Sequence, residues 1–218
     1  VEFRVVGVLA AVNGFVYTGR IGELWLAVVV DEKERVVSLS LPRRSEKEAV
    51  DEAKSLALVP VNYGFRSEMT PFIRRVGREV VEGVGLYLKG EDVKLEFDLN
   101  TDGLTSFMRR VLSVVYVIPR GFVACYGSIA EVINNPRASR AVGNAVARNP
   151  WPIIVPCHRV VRSDFNIGGY RGGLDMKRKL LKIEGVAVTA RGRVLASHYL
   201  RASRLRELVS KRGLRFGG

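Results

Sequence analysis

No stretch constrains the fold of this chain more than Asn100-Thr101-Asp102-Gly103. Asn, Asp and Gly accept the backbone angles of tight turns, so such a cluster ends one segment and starts another. Two properties change across it together. Before it, apolar residues alternate in short runs, the period of half-buried strands; after it they recur at three and four, the period of helices. The charge also changes sign. Residues 1–100 carry 14 Lys and Arg against 16 Asp and Glu, a net of −2, and the rest of the chain carries 21 against 6, a net of +15. A chain of 218 residues with 47% hydrophobic content can fill one large core or two small ones. The coincident break favours two.

The expected class is α+β. Residues 3–12, 14–20, 24–30 and 36–41 read as strands, interrupted at Asn13-Gly14 and at the charged turn 31–35. Ser45 with Glu48 forms a capping-box pattern ahead of a stripe at Val50, Ala53 and Leu56. A second helix is expected over 71–81 and a closing strand over 93–97. These make residues 1–100 an amino-terminal α/β structural domain with a small, mainly antiparallel sheet. In the second part, Thr105 can cap a helix carrying Phe107, Val111, Leu112 and Val115. Short helices follow at 126–133 and 136–147, with Pro136 suited to a first turn. Two short helices joined by a tight turn fit a helix-turn-helix, and they equally fit a helix pair that only packs together. Residues 191–218 form a basic helical extension, with Leu200, Leu205 and Leu208 along one side of a helix over 197–211.

The positive charge of the second part points to a polyanionic partner, although a basic surface can also serve solubility alone. Cys125 and Cys157 are the two cysteines, too few for a disulfide framework, and no apolar run reaches membrane-spanning length. These readings place the protein in the cytoplasm, with no membrane partner. The absence of Gln and the wealth of Val and Arg fit a heat-adapted source. Cys125, Cys157, His158 and His198 show no metal-ligand spacing, so neither a metal nor any other cofactor is expected.

The chemistry-bearing stretch is Pro156-Cys157-His158-Arg159-Val160. It follows Asn149-Pro150-Trp151-Pro152, which stops a helix, and Ile153-Ile154-Val155, which reads as a buried strand. A thiol near its free pKa is mostly protonated at neutral pH, and needs a base or a positive field to act as a nucleophile. His158 can supply the base and nearby arginines the field. A bare Cys-His pair can also be a small buried filler beside an ordinary polar neighbour.

The surrounding residues carry a resemblance that decides between these. Pro156 to Val160 resembles the active-site signature of the methylated-DNA–protein-cysteine methyltransferases, also called O6-alkylguanine-DNA alkyltransferases. Thr105-Ser106-Phe107, Arg110-Val111-Leu112 and Tyr126-Gly127-Ser128-Ile129-Ala130 are similar to the approach to that family's DNA-binding helices. Arg140-Ala141-Val142-Gly143-Asn144-Ala145 resembles its recognition helix. Asn149-Pro150 with Pro152, Gly169-Tyr170 with Gly172-Gly173-Leu174, and Lys177 through Leu181 to Glu184-Gly185 complete a match from about residue 105 to 185. The first half matches only in general character, including Gly85-Leu86-Tyr87-Leu88.

The resemblance implies that residues 101–190 are a mostly helical, winged helix-turn-helix domain that binds DNA and accepts the alkyl group. Cys157 would be the acceptor in an irreversible, single-turnover repair of O6-alkylguanine, chiefly O6-methylguanine, in double-stranded DNA. His158 would be its base, acting through a water and oriented by Glu184. Tyr126 would meet a ring nitrogen of the base, Asn149 would fix the turn before the cysteine, and Tyr170 would wall the pocket. The carbonyls of Cys157 and Val160 would read the guanine amino group. The nucleotide must leave the stack for its alkyl carbon to be reached. Arg140 would fill the gap, with Ala138, Ser139, Gly143 and Asn144 on the DNA side. The protein is expected to act as a monomer.

Arg171 departs from the pattern. Many relatives have a small hydroxyl residue there, and the bulk of arginine bears on which alkyl groups fit. Cys125, where a capping serine is common, reads as a structural thiol. Two other classes explain less. A helix-turn-helix regulator leaves the cysteine motif and Glu184 without a purpose. A turnover thiol hydrolase usually draws its base from a distant stretch of chain rather than from the next residue.

Overall fold

The computed structural model describes residues 10–213, which divide into two compact units: one takes in residues up to Val81 together with Phe97–Leu104, the other Glu82–Glu96 and the chain from Thr105. The segment 82–96 thus clusters with the carboxy-terminal residues.

The first unit is built on a four-stranded sheet. Its strands are β1 (Val12–Ile21), β2 (Leu24–Asp31), β3 (Val36–Leu39) and β4 (Val61–Tyr63), in the order β3-β2-β1-β4. The pairs β1–β2 and β2–β3 are antiparallel and β1–β4 is parallel, so the sheet is mainly antiparallel. Most of the strand expected at 3–12 lies outside the described residues. Asn13-Gly14 does not break the sheet. It lies inside β1, where a Cβ on Gly14 would come within 2.6 Å of Val61 on the neighbouring strand. Glycine here permits a close approach and marks no turn. Strand β4 carries no alternation long enough to be read from three residues.

Helix α1 (Glu46–Leu56) starts where the capping pattern puts it, with the Ser45 side chain accepting the Glu48 amide. Its Ala49 and Ala53 bury against Ala27, Val29 and Val37 on one face of the sheet. Helix α2 (Pro71–Leu88) lies on the other face. Close approach there depends on Gly77 against the Tyr17 ring and Gly19 against Val81. With both faces covered, β2 is a continuous buried apolar run. Helix α2 runs two turns beyond the expected 81, since nothing in the sequence after Val81 stops it.

Residues 93–97 do not form the expected closing strand. Their alternation is real, but among the described residues they pair with no strand, and Leu95 packs on Gly83. Only at Asp98 and Asn100 does the chain bond to Val36. The turn cluster is then pinned: buried Asp31 receives Asn100 Nδ2 at 2.8 Å and Arg35 Nε at 2.9 Å.

In the second unit, α3 (Ser106–Tyr116) is capped by Thr105, whose hydroxyl accepts the Met108 amide. A two-residue strand β5 (Ala124–Cys125) leads into α4 (Tyr126–Val132), and a turn with Asn134 at φ 59° leads to α5 (Ser139–Ala147). Residues 153–155 are a buried turn rather than a strand. Pro150 and Pro152 lack amide donors, and Ile153 is held at φ 75°. A single 3-10 turn, Cys157–Arg159, follows and runs into β6 (Val160–Val161), which pairs in parallel with β5. Helix α6 (Gly173–Ile183) and helix α7 (Ala202–Lys211) complete the unit.

The carboxy-terminal extension is two pieces where one helix is expected: a 3-10 turn, Ala196–His198, and then α7. Leu200 and Val123 bond through their backbones at the join, which commits the chain there to bridge pairing rather than helix. Helix α7 packs on α4 through Leu205 and Val209, with Leu208 only half-buried. Cys125 is buried and its thiol donates to the Arg162 carbonyl, a structural role.

Candidate alkyl-acceptor site

Three elements of the second unit converge on Cys157: the turn after α5, the 3-10 turn that begins at the cysteine, and α6. Asn149 holds the first. Its Nδ2 donates to the Val155 carbonyl at 2.8 Å and its Oδ1 accepts the Trp151 amide at 3.1 Å, so one buried amide spans the 149–155 loop. The Cys157 amide donates to the Val155 carbonyl at 2.8 Å. Cys157 is therefore fixed by its backbone, and is only 8% exposed. Burial pushes its thiol pKa up; the Asn149 amide, the Lys177 charge and the Tyr170 hydroxyl oppose that rise without reversing it. A resting thiolate is thus disfavoured, and attack requires a base at the moment of reaction.

His158 is fully buried. Its Nε2 lies 2.8 Å from Glu184 Oε1 and 3.2 Å from the Tyr87 hydroxyl, while Nδ1 has no hydrogen-bond partner among the described residues. Since a carboxylate only accepts, Nε2 carries the proton and Nδ1 is a bare acceptor. Burial lowers the His158 pKa, partly offset by Glu184, so the ring is neutral and able to take a proton at pH 7.

Glu184 caps the carboxy-terminal end of α6. Burial alone would raise its pKa, but His158 and Arg159 hold it at about 2. Arg159 bonds to both oxygens, with Nη2 2.7 Å from Oε1 and Nε 3.0 Å from Oε2. That pairing with a permanent cation keeps Glu184 ionised whatever the state of His158.

Lys177 is a fully buried cation on the same helix. Its Nζ donates to Val160 O at 2.6 Å, to Ile167 O, and to Gly169 O at 3.4 Å, which ties β6 to the loop before Tyr170. Burial brings its pKa down to about 8, against the favourable effect of Cys157.

The other anticipated residues lie around this centre. Tyr126 opens α4, half-buried; burial raises its pKa, and Cys157 is near enough to raise it further while Arg162 opposes. Tyr170 reaches the sulfur. The carbonyls of Cys157 and Val160 each accept one bond already, from the Val160 amide and from Lys177. Each retains a second lone pair. Arg140 and Asn144 are exposed on α5, with Ala138, Ser139 and Gly143 half-buried beside them. The Arg171 side chain has a partner on another element: its Nη2 donates to the Ala147 carbonyl at 2.7 Å, at the end of α5. The sequence assigns no role to Tyr87, Arg159 or Lys177, yet all three are part of the centre. Among the described residues no cluster of three or more His, Cys, Asp or Glu could hold a metal.

Comparison with known proteins agrees with this geometry. Residues 106–186 match the family model described as 6-O-methylguanine DNA methyltransferase, DNA binding domain. The methylated-DNA–protein-cysteine methyltransferase of Methanothermobacter thermautotrophicus is 40% identical over 114 residues, covering 51% of this chain and 62% of that protein. The chain therefore spans less than two thirds of the length of that relative. The protein of the same name from Methanosarcina acetivorans is 45% identical over 108 residues, covering 50% of this chain and 69% of that one. In three dimensions, the crystal structure of Mycobacterium tuberculosis OGT in complex with DNA superposes with a TM-score of 0.55 at 27% identity, covering 89% of this chain and 99% of that one. With the cysteine, histidine and glutamate arranged as described, and 45% identity sustained over more than two thirds of a relative, the chain belongs to the methylated-DNA–protein-cysteine methyltransferase family.

Proposed function

We propose that this protein repairs O6-alkylguanine, chiefly O6-methylguanine, in double-stranded DNA by moving the alkyl group onto Cys157 once and irreversibly. The observation that carries this is the hydrogen bonding of His158, the residue next to the buried Cys157: Nε2 is committed to Glu184, and Nδ1 is buried without a hydrogen-bond partner among the described residues. In the reaction, the Cys157 proton passes to Nδ1 through one water, and the resulting imidazolium is held against the ionised Glu184. The sulfur forms a bond to the alkyl carbon as the bond from that carbon to O6 breaks. The electron pair leaves with the guanine, and the Tyr126 hydroxyl donates to its ring nitrogen as negative charge builds there. The thioether product has no activated leaving group, so each molecule acts once. No cofactor enters these steps.

DNA engagement is assigned to α4 and α5, read as the helix-turn-helix of a winged domain in which β5 and β6 supply the small sheet. A Cβ on Gly143 would meet nothing nearer than the Tyr126 ring at 3.9 Å, so internal packing does not demand glycine there. Close approach of DNA to α5 does, and Ala138, Ser139 and Asn144 share that surface. Arg140, exposed in the first turn of α5, takes the place of the extruded nucleotide. Tyr170 walls the pocket, Val160 reads the base through its carbonyl, and Arg171 joins the pocket loop to α5. On this reading the protein acts as a monomer. Two free cysteines suit a reducing compartment such as the cytoplasm.

The test is mass spectrometry after incubation with duplex DNA containing one O6-methylguanine. One methyl group on Cys157 per active molecule is expected, and none on the Cys157→Ala protein, which still binds the duplex. Linear turnover with excess substrate, or binding with no covalent product, refutes the reading.

A further inference from the structure

The partners of Glu184 present an uneven arrangement. Oε1 receives three groups: His158 Nε2 at 2.8 Å, the Tyr87 hydroxyl at 2.8 Å and Arg159 Nη2 at 2.7 Å. Among the described residues Oε2 receives Arg159 Nε alone, and that Nε also lies 3.1 Å from Oε1. A guanidinium fork prefers to grip both carboxylate oxygens in parallel. Arg159 holds both oxygens in that way, and as a full cation it competes with the neutral imidazole for Oε1. Tyr87 is the third point that opposes this, approaching Oε1 from the last turn of α2 while His158 approaches from the 3-10 turn.

The Tyr87 hydroxyl has one proton, and a carboxylate only accepts, so that proton belongs to Glu184. The phenol oxygen then turns lone pairs toward Nε2, 3.2 Å away. Nε2 thus faces two acceptors, and the tautomer with the proton on Nδ1 would set its bare nitrogen against both. Burial first, and then Glu184, push the Tyr87 pKa up, so the phenol remains a donor throughout the working pH range. The ring is itself braced. Arg120 lies 5.6 Å from its centroid and donates to the carbonyls of Gly90, Glu91 and Ile183, the last being the residue before Glu184. One arginine therefore ties the end of the tyrosine helix to the end of the glutamate helix.

We propose that Tyr87 is a positioning residue for the alkyl transfer: its hydroxyl pins Glu184 Oε1 against His158, fixes the imidazole proton on Nε2, and so keeps Nδ1 as the accepting nitrogen. This rests on the alkyl-transfer reading above and assigns a task to the Gly85-Leu86-Tyr87-Leu88 stretch. The charged and titratable groups around the imidazole are Glu184, Arg159, Lys177 and Tyr87, with Arg120 behind the phenol. Without the hydroxyl, Arg159 is the stronger of the two remaining partners of Oε1, the carboxylate turns from the imidazole, and the imidazole loses part of its counter-charge. A base so weakened takes a proton less readily and accelerates less.

The experiment compares wild type with Tyr87→Phe, which keeps the ring and removes only the hydroxyl. Single-turnover methyl transfer from methylated duplex is followed across pH, alongside thermal melting and 15N NMR of His158. Expected for Tyr87→Phe are a rate about tenfold lower on the plateau, an acid limb displaced to lower pH, an Nδ1-protonated population absent from wild type, and a melting temperature close to wild type. A rate within twofold and an unmoved limb overturn the proposal, as does a slower rate with an unmoved limb and lowered melting, which is packing alone. If Tyr87→Phe does not fold, the wild-type spectrum decides: a proton on Nδ1 in the neutral ring overturns it, and a proton on Nε2 alone supports it. Wild type that transfers no methyl refutes the alkyl-transfer reading, while the His158 spectra still judge Tyr87.

Discussion

Replacing Glu184 by Gln keeps the shape of the side chain and removes its charge, and the structure fixes how the loss must depend on pH. The carboxyl sits at about 2 in the folded protein against an ordinary 4.5. A folded-state pKa below the unfolded one gives stability that is fully present above 4.5 and is lost as pH falls through about 2. The interval corresponds to about 3 kcal/mol at neutral pH. An independent argument gives a similar size, since removing one partner of a buried ion pair costs about 3–5 kcal/mol by stranding the other charge. Arg159 is the stranded charge here, with 13% of its side chain exposed. Urea unfolding of the second unit can be followed by Trp151 fluorescence, in a Trp25→Phe background that leaves Trp151 as the chain's single tryptophan. The gap between wild type and Glu184→Gln should be about 3 kcal/mol at pH 7 and should close by about pH 2. A gap of equal size at both ends means that shape, not charge, is what Glu184 contributes, and the electrostatic account of the centre fails.

Arg140→Ala should slow repair of duplex DNA by about tenfold or more, since only the duplex must be held open, and leave reaction with a free alkylguanine base within about twofold; equal losses on both substrates place Arg140 in the pocket or the fold. Arg171 is bonded to Ala147, so Arg171→Ser should leave the benzyl-to-methyl rate ratio within about twofold while weakening duplex binding through the loosened end of α5; a benzyl rate raised severalfold over methyl shows the side chain entering the pocket. Arg201 and Arg204 are exposed on α7, and Arg206, also exposed, donates to the Glu131 carbonyl on α4. Replacing all three with Ala should make the salt dependence of duplex affinity shallower by nearly one unit for each phosphate no longer engaged, without a change in melting temperature; an unchanged slope leaves α7 a packing role only.

The elements legible in the sequence are those whose signals are local. Ser45 and Thr105 announce helix starts because a cap is satisfied within three residues, and both caps are present. What failed needed a partner the sequence does not name. Residues 93–97 alternate as a strand should, yet join no ladder among the described residues. Asn13-Gly14 reads as a turn, but the glycine is there because Val61, 47 residues later, passes over it. Ile153-Ile154-Val155 reads as a buried strand because it is apolar and buried, while the prolines around it remove the donors a strand would use. In each case the local pattern was legible and the pairing was not.

The candidate site shows the same division, with one further clue in α6. Cys157 and His158 are adjacent, so a motif finds them, and the resemblance reaches Glu184 by its place after α6. Within the helix, though, Lys177, Leu180, Leu181 and Glu184 stand at i, i+3, i+4 and i+7, one face of an α-helix. All four are buried. Two charged residues bracketing two leucines on an apolar stripe are costly unless each is paired inside. That stripe alone predicts a buried acid and a buried cation about two turns apart, each with its own polar partners. The fold supplies them: carbonyls of β6 and of the loop before Tyr170 for Lys177, and His158, Arg159 and Tyr87 for Glu184. Tyr87 had no comparable signal, because an aromatic residue on the buried face of a helix reads as ordinary core. Its hydroxyl becomes meaningful only when the fold brings it to a carboxylate 97 residues away. Core charges in a helix pattern can therefore point to a catalytic centre from sequence alone, whereas core hydroxyls cannot.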